Sequence, residues 1–224
     1  MTIARGRTDC EAERDTVVQG FRELLKVLKL AKNQTEVQAK AALYDIINDK
    51  SLSDEERCSQ MRPFNDLLSI QEDLDIKIRR TILIGLFSFW ELSLKNICEY
   101  YKIDVATEKG TKQKKVCDSK TAKTRNGEND YLNAIFRNKR PSKVGLISSQ
   151  FKELRNYMTH GSADENRQAI IDNLITAYPD FCISKISGSY YITSYDGLNK
   201  MLKIIKDSVI DAETTAKTIN EQIN

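Results

Sequence analysis

The chain has 224 residues, 40% hydrophobic and 30% charged, with a formal net charge of +3, so it is long enough for a continuous core and is not a polycation overall. That balance leaves both an enzyme and a binding module open. Five cysteines, at positions 10, 58, 98, 117 and 182, form no C-x-x-C pair and lie far in sequence from the single histidine, which argues against a zinc site and a secreted disulfide framework.

The opening residues, MTIARGRTDCEAERD, are charged and lack the apolar stretch of a signal peptide. Val17, Val18, Phe21, Leu24, Leu25 and Leu28 then recur at three- and four-residue steps, predicting an amphipathic helix over about 11–32. A second helix is expected over 35–48, with Val37, Ala41, Tyr44 and Ile47 on one side. Ser53 followed by Glu56 has the form of a capping box for a third, short helix that Pro63 limits. From Phe64 to Lys102 only Gly85 interrupts helical periodicity, and Leu83, Leu86, Trp90, Leu94, Ile97 and Tyr101 form one broad apolar face. This is the expected central helix, with a bend allowed at Gly85. Its longest apolar run, Thr81 to Trp90, is closed by Glu91 and reaches about half the roughly 20 residues that span a bilayer. The chain is therefore expected to be cytoplasmic, with no membrane partner.

Between Lys109 and Lys143 stand 11 Lys and Arg against three acids, a local charge of +8. This stretch has few large apolar residues and reads as a long loop, a length that is uncommon unless functional or disordered. Its cations, Lys109, Lys112, Lys114, Lys115, Lys120, Lys123 and Arg125, are candidates for binding RNA, because lysine and arginine neutralise phosphates and release counterions. A solvated loop with no ligand explains the same charge.

A short helix is expected around 131–136, and another over 142–159 with Val144, Ile147, Phe151, Leu154 and Met158 at core spacing. Gly161 suits the left-handed position that ends a helix, which places His160 at its carboxyl cap. Ser162 with Glu165 suggests the start of a further helix that runs until Pro179. The period then changes: 181–186 and 190–193 flank Ser187-Gly188-Ser189, the pattern of a small β-hairpin, and Asp196 is a candidate cap for a last helix carrying Leu198, Met201, Leu202, Ile205 and Val209. A single helical domain spanning 1–224 follows, with amino-terminal helices over about 11–62, a core over about 64–178, and the hairpin and last helix over about 181–222.

His160 is the only imidazole, so any histidine-dependent chemistry falls to it. Arg155 and Asn156 precede it at the end of an amphipathic run. On an ideal helix five residues turn through about 500°, leaving Arg155 and His160 about 140° apart. Either the last turn unwinds to bring them together, or a second copy of the chain completes the site.

The string FKELRNYMTHG resembles the Arg-Asn-x-x-x-His-Gly signature of HEPN domains, and GLFSFWELSLKNICEYY is similar to the preceding long helix of that superfamily, nearest its RiboL-PSP-HEPN-like branch. The likeness covers about 79–101 and 144–161. It implies a mainly α, HEPN-like helical bundle, here with a long basic loop and a small β-hairpin near the carboxyl end. It also implies a homodimer in which two Arg-His motifs share one cleft and cut RNA without a metal or other cofactor. By matching position, Arg155 would hold the scissile phosphate and Asn156 would support that geometry. His160 would be general base or acid for attack by the ribose 2′-hydroxyl, and Glu91 would orient Arg155 or His160. The implied products are a 2′,3′-cyclic phosphate and a 5′-hydroxyl. The implied setting is a toxin, abortive-infection or antiviral system held in check by a regulatory protein partner. Some HEPN toxins carry a modified tyrosine two residues after the histidine; here Ser162 stands there, which puts that form of control in doubt.

The chemistry is plausible on its own terms. An imidazole titrates near neutral pH, and arginine stays cationic while donating two hydrogen bonds to a phosphate. The plainer alternatives are His160 as a helix cap, Arg155 as a surface partner of Glu153 or Asp164, Glu91 as a structural ion pair, and Phe87, Phe89 and Trp90 as packing. At the level of function the alternative is a non-catalytic HEPN-like module that binds RNA or protein.

Overall fold

The computed structural model describes residues 2–103, 127–136 and 140–223. The protein is mainly helical, with one two-stranded hairpin near the carboxyl end. Two helices of 47 residues dominate, α1 (Thr2–Asn48) and α2 (Asp54–Tyr100), each about 70 Å long at the usual rise. Their antiparallel pairing is closed by a short turn. Asp49 Oδ1 accepts from the Ser51 amide at 2.9 Å, and Arg57 donates to the Asp49 and Leu52 carbonyls at 3.2 and 3.1 Å. The Ser53–Glu56 capping box starts α2 as expected.

Two expected breaks are absent. The helices expected over 11–32 and 35–48 are one, and the short helix before Pro63 continues into the central helix. The reason is a seam in three- and four-residue steps. Val18, Phe21, Leu25, Leu28, Lys32, Thr35, Ala39, Ala42 and Ile46 of α1 are buried or half-buried, as are Met61, Phe64, Leu68, Gln71, Asp75, Ile78 and Ile82 of α2. That spacing is the heptad of a coiled coil, and it carries the chain through Lys32–Thr35 and past Pro63. Proline in a helix interior costs about 3 kcal/mol, and packing of its neighbours Met61 and Phe64 offsets the loss. Val37, Ala41, Tyr44 and Ile47 point outward, because the seam uses the adjacent stripe.

A charged layer crosses the seam where this two-helix arm of α1 and α2 meets the rest of the bundle. Arg79, 1% exposed, pairs with Glu72 at 3.0 Å and lies 3.8 Å from Asp75. Lys32 reaches Glu72 at 2.9 Å and Asp75 at 3.4 Å, and the Tyr195 hydroxyl donates to Asp75 at 2.8 Å. Burial, together with that carboxylate, pushes the Tyr195 hydroxyl well above its ordinary range. Beyond this layer α2 carries the expected face: Leu83, Leu86, Trp90, Leu94, Ile97 and Tyr101 are all buried. Each large apolar side chain so buried stabilises the fold by about 1.5–3 kcal/mol. The Trp90 indole N–H is satisfied by Ser208 at 3.0 Å. At Gly85 the helix continues, with the Phe21 ring of α1 packed close above it. An 18-residue window of α2 is apolar enough for a membrane span by length and composition, and 44% of it is buried in the bundle.

The remaining elements are α3 (Gly127–Phe136), α4 (Ser142–Leu146), a π turn (Ile147–Phe151), α5 (Lys152–His160), α6 (Glu165–Ala177), a 3₁₀ turn (Pro179–Phe181), β1 (Ile183–Ile186), β2 (Ser189–Ile192) and α7 (Tyr195–Ile223). The expected helix over 142–159 is thus α4, the π turn and α5 in one run. Before the π turn it packs on α7, and after it on α2. Two expected caps are displaced by neighbours. Asp164, not Ser162, caps α6, accepting from the Arg167 amide at 3.0 Å, and the Ser194 hydroxyl accepts from the Asp196 amide at the start of α7. The hairpin pairs Ile183 with Ile192 and Ile186 with Ser189, and Ser187-Gly188 make the turn. Gly197 lets α7 pass the chain before β1: a Cβ there would stand 2.0 Å from the Phe181 carbonyl oxygen.

Candidate functional site

The signature residues sit on α5, and α2 supplies what faces them. Apolar Leu154 and Met158 are buried and seat α5 on the bundle, which leaves Arg155 on its flank towards α2. There the Arg155 guanidinium donates from Nη2 to Glu91 Oε1 at 3.1 Å and from Nη1 to Asn156 Oδ1 at 3.1 Å. Its carbon lies 4.5 Å from the centre of the Phe87 ring. Glu91 and Phe87 are four residues apart on α2 and so share one face of that helix. Arg155 and Glu91 keep 23% and 34% of their side chains exposed, so the pair is held and still reachable by a ligand. Glu153 and Asp164, the other candidate partners of Arg155, are engaged by Arg167 at 3.5 and 3.4 Å.

His160 is the last residue of α5 and is exposed. Gly161 follows in the left-handed conformation, φ 74°, and its amide donates to the Tyr157 carbonyl at 2.7 Å. A helix that ends this way leaves its last carbonyls open, and Arg80 of α2 donates to the Thr159 carbonyl at 3.4 Å. The last turn does not unwind: α5 stays helical through His160, so Arg155 and His160 remain about 140° apart and about 7.5 Å along the axis. Among the described residues the His160 side chain has no hydrogen-bond or ion-pair partner. Its place at the helix terminus suits a dipole cap and a catalytic imidazole alike.

Four of the expected site residues are therefore unequally placed. Arg155, Asn156 and Glu91 form one connected cluster, and His160 stands apart from it on the other flank. The expected RNA-binding cations Lys109, Lys112, Lys114, Lys115, Lys120, Lys123 and Arg125 lie outside the described residues. Phe87 was expected only to pack, and it also forms the floor under Arg155. Trp90 is wholly core, and Phe89 packs near Phe21 of α1.

At the carboxyl end of α5 lies an open cleft of about 220 Å³ that sequence reading did not find, lined by Arg80 and Ile76 of α2, Tyr157 of α5, the Gly161 that follows His160, and Tyr190 and Tyr191 of β2. Its wall is braced: the Tyr190 ring meets Tyr157 edge-on at 5.0 Å, and its hydroxyl donates to Asp172 at 2.8 Å. Lys185 pairs with the same carboxylate at 2.9 Å and, with Tyr190, holds it below the usual aspartate range. The only advance signals were Arg80 in the apolar helix and the paired tyrosines of the second strand. Neither is specific without the fold.

Among the described residues no three His, Cys, Asp or Glu side chains are grouped as metal ligands. Cys58, Cys98 and Cys182 are free thiols, and burial pushes that of Cys98 up to about 12. No family model, curated protein or solved structure matches the chain.

Proposed function

We propose that the chain is a metal-independent endoribonuclease of HEPN type, acting as a homodimer. The observation that carries this reading is the Glu91–Arg155–Asn156 cluster, bonded at 3.1 Å on each side of one guanidinium, on the helix that ends in the exposed His160.

Arg155 binds the scissile phosphate with the N–H groups that Glu91 and Asn156 leave unused, and stabilises charge on the phosphorus oxygens in the transition state. His160 accepts the 2′-hydroxyl proton as the oxygen attacks phosphorus. The P–O bond to the next nucleoside breaks, and an acid returns a proton to that 5′-oxygen. The products are a 2′,3′-cyclic phosphate and a 5′-hydroxyl. DNA lacks the attacking hydroxyl and is not a substrate. Because Arg155 and His160 of one chain stand on different flanks of α5, the partner's copy is assigned the missing half of each pair. By family analogy the setting is cytoplasmic host defence, as a toxin or antiviral effector restrained by a protein partner.

Purified protein incubated with total RNA and a chelator is expected to cut it. Arg155→Ala and His160→Ala should each lose about 10²–10⁴-fold in rate. Mixing the two inactive variants should partly restore cleavage, since one intact Arg–His pair forms across each mixed dimer. Full activity in both variants would sink the site. Binding without cleavage by wild type would favour a non-catalytic module instead.

A further inference from the structure

We infer that the cleft beside His160 is a subsite for one nucleobase of a single-stranded RNA, with Arg80 on an adjoining phosphate. This rests on the ribonuclease reading above and assigns the strand a path past His160.

The cleft belongs to the His160 end of α5. Gly161 lines it, and Tyr157, three residues before His160, is its neighbour on the helix surface. Its chemistry suits a base. Tyr157 and Tyr191 line the cavity, and neither hydroxyl has a hydrogen-bond partner among the described residues, whereas the buried hydroxyls of Tyr190 and Tyr195 are both engaged. Aromatic faces with free donors at their rims are what an unstacked base meets in single-strand recognition. Arg80 is exposed and has no ion pair among the described residues; its one bond, to the Thr159 carbonyl, is long at 3.4 Å and leaves two nitrogens for a phosphate. At about 220 Å³ the space suits a single ring system and not a duplex. The wall is also rigid in advance, because Asp172 ties Tyr190 and Lys185 together and the hairpin cannot swing freely. A preformed site loses little ordering entropy on binding.

The test uses a short fluorescein-labelled RNA with 2′-O-methyl riboses, which this chemistry cannot cut, so that binding is read apart from cleavage. Full-length Tyr191→Leu and Arg80→Gln are each expected to weaken binding about tenfold. Arg80→Gln should also flatten the slope of log Kd against log salt by about 0.7, the share of one single-strand phosphate contact. Tyr191→Phe keeps the aromatic face and should stay within about twofold of wild type. Wild-type affinity in Tyr191→Leu and Arg80→Gln, an equal loss in Tyr191→Phe and Tyr191→Leu, or failure of wild type to bind the strand would each overturn the subsite. Melting temperatures near wild type exclude unfolding as the cause of a loss. Should wild type bind this strand through Tyr191 and Arg80 yet never cut ordinary RNA, the ribonuclease reading falls and the subsite stands. Cleavage with no dependence on either residue gives the reverse.

Discussion

The two flanks of α5 are built on different principles. On the Arg155 flank a cation is held by Glu91, by Asn156 and by the Phe87 ring, so its position is set before any ligand arrives. On the His160 flank the imidazole is exposed at a helix terminus, next to a cleft whose tyrosine hydroxyls and arginine are largely unengaged. The first flank spends its hydrogen bonds inside the protein, and the second keeps them for something else. A residue's contribution to stability and its contribution to binding should therefore separate across a single turn and a half of helix.

The severest way to break this contrast is from beneath the His160 flank. Gly197→Ala drives a methyl group into the Phe181 backbone just before β1, and should lower stability by about 3 kcal/mol or more, read by urea denaturation. If the loss is instead small, the hairpin is not clamped by α7, and the cleft wall is looser than described. A sharper comparison sets Arg155→Ala against His160→Ala in the same assay. Arg155→Ala removes a half-exposed ion pair and a cation–ring contact and should cost about 1–2 kcal/mol, whereas His160→Ala should stay within about 0.5 kcal/mol of wild type. Equal costs would erase the distinction between the flanks.

The smallest effect lies at the root of the arm, remote from both. A hydrogen bond from Lys32, and then the charges of Lys32 and Arg79, hold the Glu72 carboxyl below its ordinary range against the opposing effect of burial. Its folded pKa is thus below its unfolded one, so this contribution is present above the unfolded value of about 4.5 and is lost as pH falls through the folded one. Because Glu72 is half exposed, solvent screens most of it. Wild type and Glu72→Gln should melt differently near neutral pH and converge only as pH falls through the lowered folded pKa of Glu72, where the wild-type carboxyl becomes protonated. A difference that persists unchanged in acid would remove the charge from the explanation.

Much of the helical architecture was legible because apolar residues recur at helical spacing, as in the Leu83–Tyr101 face and the Leu198–Val209 stripe. What misled was polarity inside the seam. Lys32, Thr35, Gln71 and Asp75 occupy inward positions: Lys32 pairs with Asp75 and Gln71 donates to the Lys32 carbonyl across the two helices, while Thr35 donates to the Ala31 carbonyl within its own, so the apolar period vanishes where the helix does not. Pro63 misled in the same direction, since helix-breaking propensity is a local quantity and coiled-coil packing is not. At the site, Arg155, Asn156 and His160 could be named as candidates only because the string FKELRNYMTHG resembles a known signature, since their bare spacing is weak evidence. Arg80, Tyr157 and Tyr191 could not, because α2, α5 and β2 bring them together from 111 residues of sequence and no periodicity links them.

The π turn has a consequence of its own for how this protein tolerates change. It makes one continuous helix face α7 before Ile147 and α2 after Phe151, so it acts as an angular joint that aims Arg155 at Glu91. A wide turn with i→i+5 bonding takes up about one residue more than an α-turn, so removing a residue from 147–151 would close it to a plain α-helix and change the bearing of α5 relative to α4. All the side chains of the site would survive such a deletion, and their bearing would not; a lesion that deletes no named residue would then disarm the helix as surely as the loss of Arg155.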